Sequence, residues 1–134
     1  MKYSVTKIIS FCYGHRLLDY DGKCKHLHGH NGRAEILLEK TELDHRGMVI
    51  DFSDIKREIG AFIDRELDHK ILLNRRDKLV GVLAQMGEAH FVVEENPTAE
   101  NIAKLIYQFA KSKNFPIVSV KLWETDTSFA VYRE

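Results

Sequence analysis

The chain predicts an α+β domain in which an antiparallel sheet carries two helices on one face. Three observations carry that reading. The first 43 residues hold two long β-type segments around a turn-rich loop. Two segments with apolar residues at 3.6-residue spacing follow. The last 18 residues are two short alternating stretches about a turn, which is the pattern of a hairpin.

Each element has its own warrant. Residues 3–13 are dense in β-branched and aromatic side chains and read as a strand. Asp19, Asp21 and Gly22 are turn formers, so 16–27 is a loop. Residues 30–43 return as a second strand, with Ala34, Ile36 and Leu38 alternating against Glu35, Leu37 and Glu39. Asp44-His45-Arg46-Gly47 reads as a turn and Met48-Val49-Ile50 as a short strand. Ser53 suits the N-cap of a helix over 54–66. Its apolar stripe is Ile55, Ile59, Phe62, Ile63 and Leu67. Lys78 to Met86 reads as a short helix stopped by Gly87, and 91–93 as a short strand. Thr98 caps the second long helix, with the stripe Ile102, Leu105, Ile106 and Phe109; Lys111 and Lys113 suit its C-terminal dipole. Residues 117–124 alternate cleanly, Asp126-Thr127-Ser128 turns, and 129–132 closes the hairpin. The order is β-β-α-α-β-β with additions, in one domain spanning 1–134. Two helices cover only one face of such a sheet. Leu37, Trp123 and the aromatic first strand mark the other face as semi-apolar, so oligomerisation is expected to bury it.

Composition narrows the function classes. Apolar residues make up 44% and charged residues 30%, as in ordinary globular domains, and the formal net charge is zero. Neutrality gives no electrostatic support for binding nucleic acid or a membrane surface. No apolar run approaches the length of a membrane span, and Met1-Lys2-Tyr3-Ser4 leads directly into a strand-like pattern instead of a secretory leader. Two cysteines, Cys12 and Cys24, are expected as reduced cytoplasmic thiols.

The chemistry concentrates in Cys24-Lys25-His26-Leu27-His28-Gly29-His30. Side chains at i and i+2 of an extended segment share a face, so His28 and His30 can converge on one metal ion. A strand ending at His15 and one starting at His28, joined by a loop, bring a third imidazole alongside. Three histidines with a fourth position open form a catalytic zinc pattern, and an ion so held is a Lewis acid. His26 competes as a ligand from further into the loop. Cys24 is either a fourth ligand that closes the site or a base standing off the metal. Asp68-His69 can be an oriented carboxylate–imidazole pair or a helix C-terminal histidine on the dipole. Glu124, near a strand end, can grip a guanidine-like edge through two parallel hydrogen bonds, or be solvated.

Six motifs in order resemble one family over most of the chain. They are Phe11-x3-His15-Arg16, Cys24-x3-His28-Gly29-His30, Val49-Ile50-Asp51-Phe52, Leu67-Asp68-His69, Asn96-Pro97-Thr98-Ala99-Glu100-Asn101 and Trp123-Glu124-Thr125. The family is that of the 6-pyruvoyltetrahydropterin and 6-carboxytetrahydropterin synthases. The resemblance implies a tunnelling fold, whose subunits close a β-barrel as trimers that stack into a homohexamer. It implies Zn2+ on His15, His28 and His30, proton transfers by Cys24 with Asp68 and His69, and a pterin anchored by Glu124, with Thr98 and Glu100 lining the pocket. It implies active sites between subunits.

Three residues separate Cys24 from His28, which resembles the bacterial 6-carboxytetrahydropterin synthases; the 6-pyruvoyl enzymes typically have five. The implied reaction turns 7,8-dihydroneopterin triphosphate and water into 6-carboxy-5,6,7,8-tetrahydropterin, acetaldehyde and triphosphate, on the queuosine route. A 6-pyruvoyl synthase, or a folate-pathway enzyme cleaving dihydroneopterin, is the alternative. A binding module without catalysis and a structural Cys-His zinc clip are readings of other classes. Lys23, Lys25, Arg16 and Arg33 are candidates to meet the triphosphate. The chain departs from the family pattern at Tyr13-Gly14, where small alanines are common, at Gly32, where an aromatic is frequent, and in a long 75–95 segment.

Overall fold

The two β-rich segments at the start of the chain become two strands of 13 residues each in the computed structural model, which describes all residues from 1 to 134. β1 (Tyr3–His15) and β2 (His28–Lys40) pair antiparallel without a break, from Tyr3 opposite Lys40 to His15 opposite His28. A single 3-10 turn, Lys23–Lys25, interrupts the loop between them. A helical stretch follows as α1 (Phe52–Ile55), a π turn (Lys56–Gly60) and α2 (Ala61–Glu66). Then come β3 (Lys70–Asn74), α3 (Leu79–Met86), β4 (His90–Val93) and α4 (Ala99–Ser112). The hairpin β5 (Ile117–Thr125) and β6 (Ser128–Arg133) ends the chain.

The sheet runs in the order β4-β3-β1-β2-β5-β6. Its β1-β2-β5-β6 part is the antiparallel unit that the sequence predicts. The rest corrects the prediction. β3 and β4 add parallel pairings, Tyr13–His15 against Lys70–Leu72 and Ile71–Asn74 against His90–Val93. The sheet is therefore mixed and six-stranded. Lys70-Ile71-Leu72-Leu73-Asn74 gives no period-2 signal because its last three residues are all buried, as in parallel strands covered on both faces.

Two local expectations also change. Met48-Val49-Ile50 is a bend and not a strand; Val49 plugs into the core and Ile50 packs against it. The helix cap is Asp51, not Ser53. The Asp51 carboxylate accepts from the Ser53 N–H at 2.8 Å and from the Ser53 hydroxyl at 2.7 Å. The helical stripe is as predicted: Ile55, Ile59, Phe62, Ile63 and Leu67 are all buried. Four of these recur every four residues, which overshoots a 3.6-residue turn at each step. The wider π turn takes up that overshoot and keeps them on one face. On α4, Ile102 and Ile106 are fully buried, and Leu105 and Phe109 flank them.

Both helical stretches contribute to one core, which lies on one face of the sheet. Phe11, Ala34, Ile36, Leu38, Val120 and Leu122 point into it from alternate strand positions. Phe11 and Tyr13 belong to this core, so the aromatic part of β1 does not mark the free face. Residues of opposite parity do: Ile8, Phe129 and Val131 are 51%, 46% and 40% exposed. Leu37 and Trp123 lie on that side, half-buried.

One buried ion pair ties the loop after β1 to the start of α3. Asp77, with no side-chain exposure, accepts from Arg16 Nε at 2.7 Å and Nη2 at 2.5 Å. Asp77→Asn should cost about 3 kcal/mol, the low end for a broken buried pair because Arg16 stays partly exposed. The Arg16 hydrogen bonds hold the Asp77 carboxyl below its ordinary range. A depressed folded pKa contributes stability above the unfolded value, about 4, and loses it as the pH falls through the folded one. Urea midpoints measured from pH 7 to 3 should therefore fall more gently for Asp77→Asn than for the wild type.

Candidate active site

Register places the histidines. His15 faces His28 across the β1–β2 pair, and His30 lies two residues along β2 on the same face. That face is the core side, beyond the last residues the helices cover. Ring centroids are 4.5 Å apart for His15 and His28, 5.1 Å for His15 and His30, and 5.0 Å for His28 and His30. One nitrogen from each lies within 4.8 Å of the others, so the group could hold a metal ion.

Hydrogen bonding decides which nitrogens are free. His15 Nδ1 lies 2.7 Å from the Pro97 carbonyl, and His28 Nδ1 lies 2.7 Å from the His26 carbonyl. Carbonyls only accept, so both Nδ1 atoms carry the proton. In the neutral rings both Nε2 atoms then present lone pairs, and they face each other at 3.0 Å. Burial holds the His15 pKa below its ordinary value and keeps that ring neutral. Two opposed lone pairs at this distance repel unless a cation lies between them. Fixing the tautomer through a backbone carbonyl is the usual outer support of a metal-ligating histidine. The donor set fits a divalent metal of the zinc type.

The Pro97 carbonyl is itself held. The Asn96 side chain brackets the Leu18 backbone, accepting its N–H at 2.9 Å and donating to its carbonyl at 2.8 Å. Asn74 donates to Asn96 Oδ1, and Asn101 to the Asn96 carbonyl. The Asn96-Pro97-Thr98 motif thus connects the His15 ring to the loop after β1 and to α4. Thr98 is the α4 cap, accepting from the Asn101 N–H at 3.2 Å, and Glu100 is exposed on the first turn. Neither joins the histidine group.

Glu124 shares the core-side parity of Val120 and Leu122 and reaches the same site. Its Oε1 lies 3.8 Å from His15 Nε2 and accepts from the Tyr13 hydroxyl at 3.4 Å. Burial, then the Glu124 charge, pushes the Tyr13 phenol pKa well up, so Tyr13 is a neutral donor there. The unusual Tyr13 and Gly32 explain each other. A Cβ at residue 32 would lie 2.9 Å from Tyr13 Cε1, so the Tyr13 ring occupies the space a side chain on β2 would take.

Asp68 and His69 are hydrogen-bonded, Oδ2 to Nδ1 at 2.9 Å, with Asp68 Oδ1 accepting the Cys12 N–H at 3.0 Å. His69 has φ of +59°, a left-handed conformation that costs a non-glycine residue energy. Cys12, whose N–H this pair holds, stands at the strand parity opposite the three histidines. His69 lines a hollow with Cys12, Asn31 and Ile71, whose wall also includes Tyr13, His28 and His30. Cys24 sits half-buried in the 3-10 turn, where its carbonyl accepts from Leu17. Its thiol is outside the histidine group and outside the Asp68–His69 pair; the thiol beside that pair is Cys12. The sequence gives no hint of Cys12, because its neighbour across the parallel pairing is 56 residues away. Of the candidate cations, Arg16 is taken by Asp77, Arg33 lies 4.8 Å over the Trp123 ring, and Lys23 and Lys25 are exposed. His26 is exposed and lends only its carbonyl to the site.

Comparisons with known proteins identify the family. Residues 4–134 match the family described as 6-pyruvoyl tetrahydropterin synthase. A relative from Rickettsia conorii named 6-carboxy-5,6,7,8-tetrahydropterin synthase is 37% identical, over 92% of this chain and 95% of that protein. A relative of the same name from Haemophilus influenzae is 33% identical, over 98% and 99%. Among solved structures, an uncharacterized protein from Wolinella succinogenes superposes with a TM-score of 0.84 at 27% identity, covering 100% of this chain and 99% of that one. The 6-pyruvoyl tetrahydropterin synthase of Caenorhabditis elegans, 24% identical, shares the fold at a TM-score of 0.75, over 100% and 96%. No helix here is long and apolar enough to cross a membrane. The chain belongs to the 6-pyruvoyl tetrahydropterin synthase family and is an enzyme of its lyase type.

Proposed function

We propose that the chain converts 7,8-dihydroneopterin triphosphate and water to 6-carboxy-5,6,7,8-tetrahydropterin, acetaldehyde and triphosphate, as a cytoplasmic zinc enzyme of the queuosine route. One observation carries the proposal: His15 Nε2 and His28 Nε2, from rings whose Nδ1 atoms bond backbone carbonyls, face each other at 3.0 Å beside a carboxylate, with no fourth protein ligand in the group. The shared name of the relatives and the three-residue spacing from Cys24 to His28 support the carboxy product.

Zinc bound by His15, His28 and His30 would supply Lewis acidity toward the oxygens of the substrate side chain. Glu124 binds the amino-pyrimidinone edge with two parallel hydrogen bonds, and the Tyr13 hydroxyl fixes its orientation. Thr98 and Glu100, next to the carbonyl that orients His15, belong to the pocket rim. Cys24, as thiolate, removes a carbon-bound proton. His69, held by Asp68, moves protons at oxygen. Lys23 and Lys25 are unpaired and available to the triphosphate.

Within one subunit the three histidines and the Asp68–His69 pair form separate groups, the pair lying beside Cys12 of the opposite strand parity. A working site therefore takes the metal group from one chain and the pair from its neighbour. This matches a homohexamer built as a dimer of trimers, in which the free sheet face is buried. The test is product identification by mass spectrometry from dihydroneopterin triphosphate, with and without chelator. Acetaldehyde and the carboxy product, both lost on chelation, are expected. A 6-pyruvoyl or hydroxymethyl product would overturn the assignment, and so would chelator-resistant turnover.

A further inference from the structure

We infer that Cys12, Asp68 and His69 form a second divalent-metal site, and that its occupancy switches the enzyme off. A sulfur, a carboxylate oxygen and an imidazole nitrogen from these residues lie within 4.8 Å of one another. No other cluster outside the histidine group brings three such donors together. Donor atoms around tetrahedral zinc sit roughly 3.3–3.8 Å apart, given bonds of about 2.0–2.3 Å. The contraction required is at most about 1.5 Å, which side-chain rotation supplies: the His69 ring is 78% exposed and Cys12 is half-buried.

The backbone already holds the three donors in place. The Cys12 N–H donates to Asp68 Oδ1, and the His69 N–H donates to the Cys12 carbonyl at 2.7 Å. With the Asp68 Oδ2–His69 Nδ1 hydrogen bond, which an ion would displace, three hydrogen bonds link these residues before any metal arrives. Cys12 and His69 line an open hollow of the subunit, so an ion and its remaining waters have access and room. A thiolate, an imidazole and a carboxylate together favour zinc-like metals over magnesium or calcium. An ion that takes Asp68 and His69 as ligands withdraws both from proton transfer. That consequence rests on the proposed role of the pair; the binding does not.

Cobalt titration of the metal-free oligomer tests both parts. The histidine group offers no sulfur, so a thiolate-to-cobalt charge-transfer band in the near ultraviolet reports the second site alone. The wild type should bind two equivalents per subunit, with the band rising on the second. Cys12→Ser should lose the band and weaken the second equivalent at least about tenfold, while Cys24→Ser keeps both. His69→Ala, at an exposed position, should also weaken the second equivalent. Zinc beyond one equivalent should slow wild-type turnover and spare Cys12→Ser. A single equivalent in the wild type, or a band that survives in Cys12→Ser, overturns the site. Two equivalents without slower turnover leave the site standing and overturn the catalytic role of the pair.

Discussion

His28→Ala should leave a folded oligomer that no longer retains metal and turns over at least about 10^3-fold more slowly. The argument begins with geometry. His28 supplies one of the two opposed Nε2 lone pairs, and its loss leaves two ligands where a catalytic zinc site needs three. Lewis-acid stabilisation worth several kcal/mol disappears with the ion, and each 1.36 kcal/mol is about a factor of ten in rate. The fold should tolerate the change. His28 is half-exposed at the first position of β2, and its only hydrogen bond to the backbone is to His26, two residues away. Metal-free stability should move by less than about 1 kcal/mol. His15→Ala is the poorer experiment: that ring is 2% exposed, and its removal leaves a cavity and an unpaired Pro97 carbonyl. Metal content by atomic emission and steady-state rates on the same preparation check the prediction. Near-wild-type turnover in metal-free His28→Ala would remove the metal from the reaction.

Much of this site is legible from local spacing. His28-Gly29-His30 reads as a one-faced pair because alternation is a property of any strand, and β1–β2 pairing then fixes His15 opposite His28. The helical stripes and the β5–β6 hairpin are visible for the same reason: short repeats report which side is buried. Long-range partners do not show in this way. Asn96 acts on Leu18, 78 residues away, through backbone hydrogen bonds that demand nothing of the identity of residue 18. β3 carries no alternation because it is buried, and it pairs parallel with only three residues of β1. Without β3, Asp68 and His69 cannot be placed on a face of the sheet, and Cys12 cannot be seen beside them. Cys24 shows the converse. Its spacing from His28 is informative about kinship, yet its place in a short turn puts its thiol beside neither the histidines nor the pair.

Mixing two inactive variants should restore activity if the metal group and the Asp68–His69 pair act from different chains. His28→Ala lacks the first and keeps the second; His69→Ala is the reverse. Removing a general acid–base group typically costs about 10^2–10^4-fold, so each homo-oligomer should be nearly silent. Random assortment of equal amounts, by co-expression or by unfolding and reassembly, gives about a quarter of sites both an intact metal group and an intact pair, provided each site is shared by two neighbours. The mixture should therefore show about a quarter of wild-type activity, against almost none from the two proteins mixed without subunit exchange. A site contained in one chain yields no such recovery, because every chain is then defective. The geometry argues for recovery. His15, His28, His30 and Glu124 gather as one group, while His69 and Asp68 gather on Cys12, which has the alternate parity on the same strand as His15. On the proposed reading, a pterin held by Glu124 lies with the histidine group, whereas its own chain's His69 stands with Cys12 of the opposite strand parity. A neighbour that packs its free sheet face around the rim brings a second His69 from outside, and that packing also covers Ile8, Phe129 and Val131. The same assembly that buries the apolar face would thus complete the chemistry, and a subunit held as a monomer should be inactive with its metal in place.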